Sequence, residues 1–125
     1  MCSIYYTLVN AFGGHLREVR ERLFGQDRVY SVRQVAGRVG IEPSYLSKIE
    51  RGEEPPPSEK TIRAIARELN EDVDVLLALA GKVSGDLQTI IRRRPKLFAE
   101  LIRTLKNQPN HAVLRIVREV RDGEW

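Results

Sequence analysis

The chain of 125 residues has a single cysteine, Cys2, which excludes an internal disulfide, and only two well-separated histidines, His15 and His111, which leave no zinc-ligand spacing. Its longest strictly apolar run, Val75 to Ala80, falls far short of the roughly 20 residues a membrane-spanning helix needs. No basic-then-apolar leader opens the chain, so a soluble cytoplasmic protein is expected. Internal repeats, low-complexity tracts and phosphate-binding glycine loops are missing too. No nucleophile is spaced with a general base, and the expectation is therefore no enzymatic activity, no metal and no cofactor.

What is present is charge, unevenly placed, on a chain long enough to bury a core without covalent staples. The net charge is +4 and the pI near 9.5. Residues 1–11 carry no charge, 12–52 carry eight basic and five acidic residues, 53–81 three and seven, and 82–125 ten and five. Two basic stretches thus flank an acidic belt. A basic stretch suits a polyanion, and the belt is expected to face away from it.

Apolar periodicity predicts an all-α fold. Leu16, Val19, Leu23 and Phe24 mark a helix over about Phe12 to Phe24, ended by Gly25. Ser31 followed by Gln34 is a capping-box pattern that opens a second helix, Val32 to Val39. Pro43 suits the first turn of a third, Pro43 to Arg51. After the proline loop 52–57, Ser58 caps a fourth helix with an inward stripe of Ile62, Ile65, Ala66 and Leu69, ended by Asn70. Asp72 or Asp74 caps a fifth, with Val75, Leu76, Leu79 and Ala80 inward. Three amphipathic pieces follow, Gly85 to Arg94, Pro95 to Lys106 and Asn110 to Arg121. Only SIYYTLV near the start alternates enough to suggest a strand; residues 1–11 read as an arm that covers the core, adds a strand or helix, or precedes the natural start.

The most specific segment is Val32 to Gly52, VRQVAGRVGIEPSYLSKIERG. Ala36 provides a small residue where two short helices cross, Gly40 allows a sharp turn, and Val35, Ile41, Leu46 and Ile49 face inward. Only three to four residues remain for the turn, as a helix-turn-helix requires. Gly52 suits a left-handed end to the second of these helices.

This pattern, with FGGHLREVRERL before it and SEKTIRAIAREL and DVDVLLALAG after it, resembles the XRE family of helix-turn-helix regulators, the lambda-repressor and Cro-like proteins. The resemblance covers roughly residues 12–81. It implies a five-helix lambda-repressor-like DNA-binding domain, with a helical extension over 82–125, and Pro43 to Arg51 as the recognition helix in a DNA major groove. Base reading would fall on Ser44 and Lys48, since Pro43 has no donor. Tyr45 and Ser47 would reach phosphates or a thymine methyl, and Arg33 and Arg51 would clamp phosphates. Glu42 would cap the recognition helix or accept from a cytosine amine. Arg20 and Glu50 would form a structural ion pair between the first and third helices. Arg38 reads as solvated and His15 as a surface residue. Val32 and the Glu53-Glu54 pair depart from the family pattern; the carboxylates would be lifted off the duplex by the prolines or point to solvent.

One such unit reads too few base pairs to select a site, so a dimer on an inverted repeat is expected. Phe98, Leu101, Ile102 and Leu105 form one stripe and Val113, Ile116, Val117 and Val120 another, and both are candidates for the homodimer contact or for covering the fifth helix. The basic run Arg92 to Lys96 complements a helix C-terminus or touches phosphate. The resemblance implies a transcriptional repressor or, in the alternative, the antitoxin of a toxin–antitoxin pair whose tail binds the toxin.

Overall fold

The computed structural model describes the backbone of residues 2–123 and the side chains of residues 11–123, and it is all-α, with no strand among the described residues. The chain divides into two compact units, one reaching to Ser84 and one beginning at Gly85. The sequence-based boundary at 81/82 lies three residues earlier. Lys82 belongs with the first unit because its Nζ donates to the Pro57 carbonyl at 2.7 Å, and Ser84 is buried.

In the first unit, α1 covers Cys2–Phe24, α2 Val32–Val39, α3 Pro43–Glu50, α4 Glu59–Leu69 and α5 Val73–Leu79. The SIYYTLV segment is helical, not a strand: once α1 is nucleated, each added residue gains a backbone hydrogen bond at little further entropic cost. A short 3₁₀ turn, Arg28–Tyr30, fills the connection to α2, with the Asp27 carboxylate accepting from the Val29 amide.

Local sequence sets most helix ends. Ser31 Oγ accepts from the Gln34 amide at 3.2 Å, while the Ser31 amide donates to the Arg28 carbonyl of the 3₁₀ turn. Ser58 Oγ accepts from the Thr61 amide, and Asp72 Oδ1 accepts from the amides of Asp74 and Val75. Removing such a cap typically costs about 1 kcal/mol. Glu42 precedes α3 without a side-chain cap bond, so that expectation is not met. Gly40, Gly52 and Asn70 have left-handed backbones after α2, α3 and α4.

The core draws on all five helices: Phe12, Leu16 and Val19 of α1; Val35 and Ala36 of α2; Leu46 and Ile49 of α3; Ile62, Ile65, Ala66 and Leu69 of α4; Leu76 and Leu77 of α5. The inward stripe of α5 differs from the expected one. Leu76, Leu79 and Ala80 pack inward as expected, but Val75 is 53% exposed while Leu77 is fully buried and Val73 packs against the core.

In the second unit α6 covers Gly85–Arg93, α7 Pro95–Leu105 and α8 Asn110–Asp122, and α6 packs against α7. None of these helices contributes a fully buried residue. Phe98, Leu105, Val113 and Ile116 are half-buried, whereas Leu101, Ile102 and Val117 are exposed. Among the described residues no helix is long and apolar enough to cross a membrane.

Candidate nucleic-acid interface

The geometry of α3 follows from how tightly its inner side is held. Leu46 and Ile49 are buried in the core, and Glu50 is buried beside them. The Glu50 carboxylate accepts from Arg20 Nε at 2.7 Å and from Arg20 Nη2 at 2.9 Å, and Arg20 Nη1 donates to the Tyr30 carbonyl at 3.2 Å. The hydrogen bonds to Glu50 hold the Arg20 guanidinium above its ordinary pKa, against the opposing effect of burial. One residue thereby ties α1, α3 and the 3₁₀ turn together. Breaking such a pair from one side costs about 3–5 kcal/mol, because the remaining charge stays buried.

A second contact sets how closely α1 can approach α3. A Cβ added to Gly13 would collide with the Ile49 carbonyl oxygen and press on that of Glu50. Glycine within a helix costs about 1 kcal/mol relative to alanine, and here it permits backbone contact between the two helices. Ala36 of α2 is fully buried in the core, and the close approach of α1 to α3 falls on Gly13, to which the sequence alone assigns no such role.

With its inner side fixed, α3 presents Ser44 and Lys48, one turn apart, as exposed side chains. Tyr45 is half-buried and packs against the core. Ser47 lines a polar depression with Val32 at the start of α2 and with Arg17, Arg20, Glu21, Glu50 and Arg51. Arg33 is exposed in the first turn of α2 and does not line that depression.

The arginines at this depression all have carboxylate partners. Arg17 Nε donates to Glu21 Oε1 at 3.0 Å, Arg20 is paired with Glu50, and Arg51 is held by Glu53. Arg51 Nε and Nη2 donate to the two Glu53 oxygens at 3.1 and 3.0 Å. That pairing raises the Arg51 pKa and holds the Glu53 carboxyl below the usual carboxylate range, with Lys48 adding a smaller effect in the same direction on Glu53. Read from the sequence alone, Arg51 is a phosphate clamp and Glu53 an independent loop carboxylate. The R-G-E spacing was the available signal.

Two further residues differ from their sequence-based reading. Arg38 is not simply solvated: its Nε donates to Glu68 at 2.7 Å and its guanidinium lies 5.6 Å from the centre of the Tyr30 ring. His15 Nε2 is 2.7 Å from Glu71 Oε1, linking α1 to the segment after α4.

A short helix locked into a core, preceded by a second helix and a glycine turn, defines a helix-turn-helix fold. A family model described as a helix-turn-helix domain matches residues 11–79, more than half of the chain, and the chain belongs to that family. Over 68 residues it is 37% identical to the HTH-type transcriptional regulator SlrR of Bacillus subtilis (strain 168), an alignment covering 51% of this chain and 45% of that protein. The chain thus spans less than half the length of this relative. The solved structure of the clp gene regulator ClgR from Corynebacterium glutamicum aligns with a TM-score of 0.47 at 23% identity, over 81% of this chain and 96% of that one.

Proposed function

We propose that this chain is a sequence-specific double-stranded DNA-binding transcriptional regulator of the XRE type, a homodimeric repressor acting on an inverted-repeat operator. The observation that carries the reading is α3: Leu46, Ile49 and Glu50 anchor one side while Ser44 and Lys48 are exposed one turn apart. Family membership supports it, and so does the name of the SlrR relative. Lys48 donates to guanine O6 and N7, Ser44 reads the neighbouring base edge, and Arg33, Tyr45, Ser47 and Arg51 engage the phosphates or a thymine methyl.

The first unit, up to Ser84, is the DNA-binding part in this reading, and the second, from Gly85, the part that joins two copies. The second unit supports this with its apolar exposure: Leu97, Leu101, Ile102, Leu114, Val117 and Val120 are all exposed. Phe98, Leu105, Val113 and Ile116 complete the contact from half-buried positions.

Selection of bound sequences from a random DNA pool tests the reading. Enrichment of an inverted repeat is expected, bound by a dimer, with Lys48→Ala losing about 1–3 kcal/mol on the selected site and less on unrelated DNA. No enrichment overturns sequence-specific binding. A chain that is monomeric alone and binds a second, different protein through α7 and α8 would favour the antitoxin reading.

A further inference from the structure

At the end of α3 the Arg51 guanidinium is engaged by a carboxylate of its own chain. Gly52 has φ of 75°, and this left-handed residue turns the chain back so that the Gly52 amide donates to the Ile49 carbonyl and the Glu53 amide to the Lys48 carbonyl, at 3.0 and 2.8 Å. The Glu53 backbone is therefore fixed against the last turn of α3. From there both its oxygens engage Arg51, in the two-pronged geometry that guanidinium also uses for phosphate. Both side chains are about half exposed, unlike the buried Arg20 and Glu50, so this pair can open without stranding a buried charge.

We propose that Glu53 is a built-in competitor for Arg51, and that the protein engages DNA by exchanging the Glu53 carboxylate for a backbone phosphate at the Arg51 guanidinium. This rests on the DNA-binding reading above and deepens it. In the free protein Arg51 is neutralised by its own chain, so it adds little to indiscriminate attraction to polyanions. On a duplex it swings to a phosphate, and the released carboxylate takes up a cation from solution. That uptake offsets part of the cation release from DNA and flattens the salt dependence. The device lowers affinity for all duplexes and leaves the bases read by Ser44 and Lys48 to decide which of them is held.

The test measures affinity across a salt series for wild type, Glu53→Gln, Arg51→Gln and the double variant, on the selected duplex and on an unrelated one. Glu53→Gln is expected to tighten both complexes roughly twofold to fivefold, the scale of an exposed ion pair, and to steepen the log–log salt slope by up to about 1 per bound copy. In the Arg51→Gln background the same change should have no effect. Unchanged or weaker binding by Glu53→Gln overturns the exchange. Equal tightening with and without Arg51 also overturns it, since that is simple removal of negative charge near DNA. If none of the four chains retains any duplex at low salt, the DNA-binding reading fails with it; if wild type binds and Glu53→Gln matches it, only the exchange fails. A second readout is the Arg51 Nε–Hε NMR signal, expected to differ between wild type and Glu53→Gln in the free proteins and to coincide in their DNA complexes. Signals that still differ on DNA overturn the exchange.

Discussion

The two units of this chain use similar amphipathic helices to different ends. In the first, α1 to α5 surround thirteen buried apolar residues among those whose side chains are described, and Arg20 and Glu50 satisfy each other's buried charge. In the second, α6 to α8 bury no residue fully, and Ile102 and Leu97 each remain 63% exposed. Helices of this length are marginal alone and depend on packing of their apolar faces. Among its described residues the first unit buries most of its apolar face, leaving Val29, Val75 and Val83 exposed. The second leaves apolar surface over, and this is why the proposal assigns it to contact with another copy.

That contrast can be broken most strongly from inside the first unit. Glu50→Ala should lower its stability by about 3–5 kcal/mol, read by chemical denaturation, whereas replacing Arg20 and Glu50 together with apolar residues should recover much of the loss. Leu46→Ala should cost about 2–5 kcal/mol by leaving a cavity where α3 meets the core. For Gly13→Ala two effects oppose: alanine gains about 1 kcal/mol of helix propensity, and forcing α1 away from the Ile49 carbonyl costs more, so a net loss of about 1–3 kcal/mol is expected. A Gly13→Ala protein as stable as wild type would mean that α1 and α3 are not in close contact there.

The second unit should respond in the opposite way. Ile102→Asp, at an exposed position, is expected to change unfolding of the single chain by no more than about 0.5 kcal/mol while converting a dimer to monomers in sedimentation. Full retention of the dimer would remove Ile102 from the contact. The smallest effect should come from Glu53 and pH. Its carboxyl lies below the usual range in the folded chain, so its contribution to stability is complete above the unfolded-state value and is lost as pH falls through the lowered one. Glu53→Gln should therefore lower stability slightly at neutral pH, leave it unchanged at pH values below the lowered one, and so flatten the acid side of a stability profile.

Much of the fold was legible because its signals are local. Ser31, Ser58 and Asp72 cap helices three residues or fewer ahead of the amides they accept from, and the stripe Ile62, Ile65, Ala66, Leu69 is the inner face of α4. Periodicity misplaces Val75 and omits Leu77 because six of the seven α5 residues are apolar, which allows more than one stripe. The extension of α1 back to Cys2 was hidden by two glycines, Gly13 and Gly14, in the middle of the helix. On α3, the exposure of Ser44 and Lys48 follows from the spacing of the buried Leu46 and Ile49. The Arg51 to Glu53 pair lay in plain view two residues apart, yet it depends on the left-handed turn at Gly52 that brings Glu53 back.

By itself the sequence determined an all-α chain, the two helices of the helix-turn-helix, the caps that begin α2, α4 and α5 and the glycine that ends α3. These depend on hydrogen bonds and side-chain periods within one turn of helix, so a short window contains all their causes. Tertiary structure decided that Gly13 meets the Ile49 carbonyl, that Arg38 pairs with Glu68 thirty residues away, and that His15 reaches Glu71. Those contacts depend on where helices cross, which is set by the shape of the whole core and is written in no single segment.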